Sequence, residues 1–144
     1  MQPDKTDWQI ITLLSNEYIT NTKMAKQLGL SESTIRQRIK RMQNAGILKI
    51  KALRDTNVLA NQQIATISIN VARANLLDNK AEEISELEEV LSVSIVSGRY
   101  DMLIDVLVDS NKGLVKFLTE SLSKVEGISA TETFVVLKGY NKWV

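Results

Sequence analysis

The residues of this sequence best suited to contact a polyanion lie between Ser31 and Asn44. If this segment is a helix with Ile35, Ile39 and Met42 on its buried side, its opposite side carries Ser, Arg, Gln, Lys and Asn. Arg and Gln suit bidentate contacts with base edges in the major groove, whereas Lys more often contacts phosphate. The candidate DNA-binding residues are Ser31, Ser33, Thr34, Arg36, Gln37, Arg38, Lys40 and Arg41.

The charge of the chain is divided unevenly along its length. Between Thr22 and Arg54 there are nine basic residues and one acidic residue, a net charge of +8, whereas the rest of the chain carries −7 and the whole chain +1. Such a division favours a polyanion-binding module joined to a second part. The alternative for the helix alone is a solvated basic face.

A second group with chemical potential is the sequence SGRYD, from Ser97 to Asp101. Gly98 allows the backbone to approach a ligand, Arg99 could pair with an anion, and Asp101 with an ammonium group. Tyr100 could cover an apolar part of a ligand or hydrogen-bond to it. The alternative is a tight hairpin turn in which Gly supplies geometry and Asp caps the turn.

Catalytic chemistry has little support in the composition. The chain has no Cys and no His, which excludes Cys and Ser-His nucleophiles and most zinc chemistry. The carboxylates of Asp101 and Asp105 could form a pair, but strand alternation places Asp105 among small residues with no cleft. The sequence therefore predicts a protein that is not an enzyme and has no metal site and no cofactor.

Three helices are predicted to position the basic residues, in a domain covering residues 1–53. The first extends from Asp4 to Leu14, and the second ends at Gly29, as helices often do. The third begins after Ser31, a favourable N-cap, and ends near Gly46. This is a helix-turn-helix arrangement. Alternating residues in ILKIKALRD predict a strand after it, as a wing or an extension, and residues 54–63 are predicted to be a linker.

Residues 64–144 show the order β-α-β-β-α-β, which predicts an α+β domain of ferredoxin-like plan. Leu91, Val93 and Ile95 are predicted to face the helices in the second strand. A second face of the sheet, opposite the helices, would be small and semi-polar and could pack against another subunit or be solvated. Its predicted members are Ile64, Thr66, Ser68, Asn70, Ser92, Ser94, Leu103, Asp105, Leu107, Ser129, Thr131, Thr133 and Val135.

No apolar run approaches the ~18 residues that a membrane span needs. The N-terminal sequence MQPDKTDWQII also lacks the pattern of a signal peptide. We therefore expect a cytoplasmic location and no membrane partner.

Four stretches together resemble the Lrp/AsnC family of prokaryotic transcription regulators. They are TDWQIITLL, LGLSESTIRQRIKRMQNAGILK, VSGRYDMLIDVLV and VEGISATETFVVL, in this order. The resemblance implies a winged-helix-like helix-turn-helix domain followed by a ligand-sensing domain that forms a dimeric α+β barrel and higher homo-oligomers. It further implies an amino acid effector bound between dimers. The implied effector-binding residues are Ser97, Gly98, Arg99, Tyr100, Asp101, Thr131 and Thr133.

The leading hypothesis is a sequence-specific regulator that binds double-stranded DNA at a palindromic operator, as a homodimer or a larger homo-oligomer. Three alternatives stay open. The chain could be a regulator or architectural protein without an effector, an oligomeric ligand-binding scaffold whose helical head binds protein, or a small enzyme of the ferredoxin-like class.

Overall fold

The computed structural model describes residues 1–144 and divides into two compact units. The N-terminal unit is Met1–Ala52 and the C-terminal unit is Leu53–Val144. Each unit has its own cluster of buried apolar side chains.

The N-terminal unit contains three helices, α1 (Lys5–Asn16), α2 (Asn21–Leu28) and α3 (Glu32–Asn44). Their apolar sides meet in one core because each helix repeats its apolar residues at helical spacing. The buried members of this core are Ile10, Ile19, Met24, Ala25, Ile35, Ile39 and Met42. The three inward residues predicted for α3 are therefore confirmed.

The helix ends of this unit are fixed by local side-chain chemistry. The Asp4 carboxylate accepts from the Asp7 backbone N–H, and the Asp7 carboxylate accepts from that of Asp4, a reciprocal capping box. Gly29 ends α2 with φ of 66°, a left-handed conformation that glycine adopts without steric cost. The Ser31 side chain then caps α3.

The predicted strand after α3 is wrong. Residues 48–54 have no regular secondary structure, and the side chains of Ile50 and Leu53 are exposed. Alternation favours a strand only where a neighbouring strand completes the hydrogen bonds. The isolated bridge in this region pairs only Asp55, the last residue of the predicted segment, with Trp143.

The C-terminal unit is built on a four-stranded antiparallel sheet in the order β2-β3-β1-β4. Its strands are β1 (Gln62–Val71), β2 (Val90–Ile95), β3 (Met102–Asp109) and β4 (Ile128–Val135). Helix α4 (Leu77–Ser85) lies between β1 and β2 in the chain. Helix α5 follows β3 and comprises an α-helical start (Gly113–Lys116), a π-helical turn (Phe117–Ser121) and a 3₁₀ end (Leu122–Lys124).

Both helices pack on one face of the sheet, which confirms the ferredoxin-like plan. Ile84 of α4 and Phe117 of α5 are fully buried against alternate residues of the two central strands. On β3 these are Met102, Ile104, Val106 and Val108, as alternation predicts. The opposite face is the second face of the sheet.

A β-bulge in each edge strand, β2 and β4, places some residues on a different face of the sheet from the one predicted. In β2, Val90 lies opposite Val106 and Ser92 opposite Asp105, so Leu91 is the extra residue. The prediction that Leu91 faces the helices is wrong, and its side chain is 41% exposed. Val90 packs against the core instead. A bulge reverses the alternation of the residues that follow it.

A bulge in β4 likewise reverses which of its residues face the helices. Val71 lies opposite Ile128 and Asn70 opposite Ala130, so Ser129 is the extra residue. Beyond it, Thr131, Thr133 and Val135 lie opposite Ile69, Ile67 and Ala65, on the helix side of the sheet. The prediction that these three residues belong to the second face is wrong. Glu132 and Phe134 lie there, opposite Ser68 and Thr66.

Residues 54–63 run beside the end of the chain within the C-terminal unit. The backbones of Arg54 and Val144 exchange hydrogen bonds of 2.6 and 3.0 Å. The Lys142 ammonium lies 3.3 Å from the Asp105 carboxylate, which is on the second face. The final residues of the chain therefore hold this segment and also reach the sheet.

Candidate nucleic-acid interface and effector region

Helix α3 carries a continuous polar and basic surface opposite its apolar side. The exposed residues of this surface are Ser33, Arg36, Gln37, Lys40, Arg41 and Asn44. Because Ile35, Ile39 and Met42 are buried, the helix cannot rotate without exposing them. The core of the N-terminal unit thus determines which side chains α3 presents.

The amino-terminal end of α3 is ordered by hydroxyl groups. The Ser31 hydroxyl oxygen accepts from the Thr34 backbone N–H at 3.1 Å. It also lies 2.9 Å from the Ser33 hydroxyl and 2.7 Å from the Thr34 hydroxyl. Ser31 and Thr34 are therefore engaged in the cap, whereas Ser33 is exposed on the outer surface.

Three of the four arginine and lysine residues predicted to contact DNA form intramolecular ion pairs. Arg36 is 2.8 Å from Glu32 one turn earlier, in an exposed pair. Arg38 donates to Asp4 at 2.7 Å and to Asp7 at 2.8 Å, and Arg41 donates to Asp7 at 2.8 Å. The side chain of Arg38 is only 25% exposed, so it differs from its neighbours on the outer surface.

The carboxylates of this cluster have lowered pKa values. Burial would raise the pKa of Asp7, but hydrogen bonds from Arg38 and the Asp4 backbone N–H, with the charge of Arg41, outweigh it. The hydrogen bond from Arg38 is the main cause that lowers the pKa of Asp4. The hydrogen bonds that Arg38 donates to Asp4 and Asp7 in turn raise the pKa of Arg38. Asp4, Asp7 and Arg38 are therefore charged at neutral pH.

A shallow depression of about 560 Å³ lies beside the carboxyl-terminal half of α3. Gln37, Lys40 and Arg41 line it, together with Met1, Asn44 and Ala45. The depression is continuous with the basic surface and belongs to the same candidate interface.

The SGRYD sequence forms the connection between β2 and β3, where Gly98 has a φ of 133°. The Asp101 carboxylate accepts from the Val71 backbone N–H at 2.8 Å, and the Asp101 backbone N–H lies 3.0 Å from the Asn70 side-chain oxygen. Asp101 thus attaches the connection to the end of β1. This is the capping role that the sequence left open as an alternative.

Tyr100 and Arg99 lie at the outside of this connection. The Tyr100 hydroxyl donates to the carboxylate of Glu132 on β4, and the Arg99 guanidinium lies 5.5 Å from the centre of the Tyr100 ring. Glu132 was not among the residues predicted from the sequence, although it is the only charged residue within β4. Thr131 and Thr133 point to the other side of the sheet, so they do not join this group.

Comparison with known proteins decides the family. The sequence profile described as the Lrp/AsnC ligand binding domain matches residues 64–142, and the winged helix-turn-helix DNA-binding profile matches residues 3–49. The chain belongs to the Lrp/AsnC family. The chain is also 34% identical to an uncharacterized HTH-type transcriptional regulator of Pyrococcus furiosus, over 97% of this chain and 95% of that protein.

Solved Lrp/AsnC structures share the fold. The Escherichia coli AsnC structure is 26% identical, with a TM-score of 0.66 over 96% of this chain and 95% of that one. A Neisseria meningitidis transcriptional regulator solved as an L-Met complex is also 26% identical, with a TM-score of 0.67 over 95% of this chain and 91% of that one.

As an Lrp/AsnC protein, the chain is a DNA-binding transcription regulator in which a helix-turn-helix precedes a ligand-binding domain. No helix of this Lrp/AsnC chain is both long and apolar enough to span a bilayer.

Proposed function

We propose that this regulator binds a specific duplex DNA sequence in the cytoplasm by inserting α3 into the major groove. The observation that carries the proposal is the exposure of Arg36, Gln37 and Lys40 on the side of α3 opposite its buried apolar residues. A helix of this width fits the major groove of B-DNA. In helix-turn-helix proteins the second helix of the motif enters that groove.

The residues of α3 would divide their roles by chemistry. Arg36, Gln37 and Arg41 have the paired donors or acceptors that distinguish base edges, and Lys40 would neutralise phosphate. Ser33 would approach the bases from the amino-terminal end of the helix, which enters deepest. Ser31 and Thr34 would act through the cap that holds this end.

We further propose that the second face of the sheet forms a homodimer and permits larger homo-oligomers. Phe134 of β4 is 48% exposed on this face, and the half-buried Leu103 and Leu107 of β3 lie on the same face, with β1 between the two strands. Apolar side chains exposed on an open sheet face favour association with a second copy. A two-fold dimer presents two recognition helices to a palindromic operator, with half-sites about 34–36 Å apart or a multiple of that spacing.

The effector region supports an amino acid ligand. Arg99 would pair with the ligand's carboxylate and Glu132 with its ammonium group, while Tyr100 separates the two charges. Asp101 would contribute through the turn that it caps, since one of its oxygens already accepts from the backbone. The L-Met complex of the Neisseria relative supports an amino acid as the class of ligand, and two such turns from neighbouring dimers would enclose it.

Selection of duplexes from a random-sequence pool tests the DNA proposal. We expect an enriched motif with two-fold symmetry and half-sites separated by about 10–10.5 base pairs, or a multiple of that spacing. Enrichment of no motif, at a salt concentration where the protein still binds DNA, would contradict sequence-specific binding.

A thermal-stability screen against free amino acids tests the effector proposal. A ligand that binds only the folded protein raises the melting temperature with concentration. Glu132→Gln should abolish that rise while the unliganded melting temperature stays close to wild type, because Glu132 is exposed. Absence of a rise with every amino acid would favour a regulator without an effector and leave DNA binding intact.

A further inference from the structure

Asp7 is the one charged residue whose side chain is completely buried. Its two carboxylate oxygens accept from Arg38 and Arg41 of α3, each at 2.8 Å, and one also accepts from the Asp4 backbone N–H. An ionised carboxylate without such partners would be very costly to bury. The partners are therefore as much a part of the site as Asp7 itself.

The requirements of helix capping do not account for this arrangement. A capping box needs only the reciprocal bonds between Asp4 and Asp7. The additional bonds go to two residues of the candidate DNA-binding helix, one turn apart. One of these residues, Arg41, is 52% exposed on the outer surface, whereas Arg38 is mostly covered.

We propose that Asp7 is a positioning residue that determines the specificity of DNA recognition, and this inference rests on the proposed function of α3. Asp7 holds one terminal nitrogen of Arg41, so that the guanidinium meets the DNA in a fixed orientation. Together with Asp4 it also keeps Arg38 from the phosphates. Arg38 is then a link between α1 and α3 and does not contact DNA.

The orientation of Arg41 and the retention of Arg38 predict a change in DNA binding that a purely structural role of Asp7 would not produce. Removing the Asp7 charge releases Arg41 and leaves Arg38 held by the exposed Asp4 alone. Guanidinium charge then becomes available to phosphates of any sequence, so non-specific affinity rises. A freely moving Arg41 also loses the fixed geometry that bidentate base contacts need. Specific affinity therefore gains less than non-specific affinity, and the ratio between them falls.

The experiment measures Asp7→Asn binding to two duplexes across a range of salt concentrations. One duplex is selected by the wild-type protein from a random pool, and the other has the same composition in shuffled order. We expect the ratio of the two affinities to fall about fivefold or more. We also expect the salt dependence on the shuffled duplex to steepen by about one to two phosphate contacts.

Glu17→Gln is the matched control, because it removes one negative charge from the same unit at an exposed pair with Lys23. It should change both affinities by the same factor and leave their ratio unchanged. If Asp7→Asn behaves like this control, with unchanged ratio and salt dependence, the inference is overturned.

Two further variants keep the test decisive if Asp7→Asn fails to fold. Arg38→Gln should leave the salt dependence of binding unchanged, and a loss of about one phosphate contact would overturn the inference. Arg41→Lys keeps the charge and should lower the ratio of affinities. A wild-type protein that does not distinguish the two duplexes would overturn the proposed function, and the inference with it.

Discussion

At the scale of single residues, the N-terminal unit depends on one buried carboxylate. Asp7 lies beneath α3 with its two oxygens saturated by Arg38, Arg41 and the Asp4 backbone N–H. The sequence indicated Arg38 and Arg41 as candidate DNA contacts, but no pattern in it showed that an aspartate 31 positions earlier would hold Arg38. Long-range pairing of this kind depends on how helices pack, which spacing within one helix does not reveal.

The lowered pKa of Asp7 predicts acid sensitivity of this unit. A carboxylate with a depressed folded-state pKa contributes stability that is fully present above the pKa of an unfolded Asp, about 3.9. That contribution is lost as pH falls through the lower folded-state pKa. Asp7→Asn should cost roughly 1–3 kcal/mol at neutral pH and should reduce the loss of stability as the pH falls below about 4.

Urea unfolding followed by the fluorescence of Trp8, in α1, would measure this effect. A Trp143→Phe background leaves Trp8 as the only tryptophan. Asp4, whose pKa is also lowered, retains its share of the acid dependence in the variant. An Asp7→Asn protein with wild-type stability at neutral pH and an unchanged acid transition would contradict the assigned ion pairs.

At the scale of elements, the sequence predicted what local chemistry determines. The helices of the N-terminal unit were predicted because their caps and apolar spacing lie within each segment. The same holds for β3, whose strict alternation has no interruption. The strand predicted after α3 is absent because its partner strand is absent, and periodicity within a segment does not report that.

The effector group shows the same limit at a functional site. Tyr100 and Arg99 were identified from their own turn, but Glu132 was missed and Thr131 was placed on the wrong face. The cause is the single extra residue at Ser129. A bulge is decided by hydrogen bonding between strands, so the pattern of β4 alone could not indicate which side chains would meet the turn.

Ser31 allows the cap of α3 to be separated from its DNA contacts. Ser31→Ala should lower stability by about 1 kcal/mol, because the Thr34 backbone N–H loses its acceptor. Ser31→Asp should keep the cap, since Asp is also a strong N-cap, but should weaken DNA binding through repulsion of phosphate. Thermal melts and duplex titrations measure the two effects. Equal DNA affinity in Ser31→Asp and wild type would place this end of α3 away from the backbone.

At the scale of the whole molecule, the basic charge is concentrated in one part of the chain and the candidate self-association face lies in another. The basic residues are concentrated between Thr22 and Arg54, and exposed apolar side chains occur on the second face of the sheet. This division suits a protein in which one part binds a polyanion and the other associates with copies of itself. The uneven distribution of charge was evident from the sequence. The register of the sheet was needed to identify which residues of β4 lie on the second face.

Phe134→Arg tests the proposed dimer face. The variant should dissociate the dimer, because a charge would be buried at the interface without a partner. Val135→Arg is the matched control, since Val135 is 40% exposed on the other side of the same strand. Sedimentation equilibrium distinguishes the two variants. A Phe134→Arg protein that stays dimeric would exclude the second face as the interface.

The central claim is that the outer surface of α3 binds DNA, and fluorescence anisotropy of a labelled duplex under increasing salt tests it most directly. The critical variant is Arg36→Glu with Lys40→Glu, which leaves the ion pairs of Asp7 intact. The control is Lys116→Glu with Lys124→Glu, which makes the same charge change at exposed positions of α5. We predict salt-dependent wild-type affinity, a loss of about 100-fold or more in the α3 variant, and near wild-type affinity in the control. Equal affinity of all three proteins, unaffected by salt, would contradict the account.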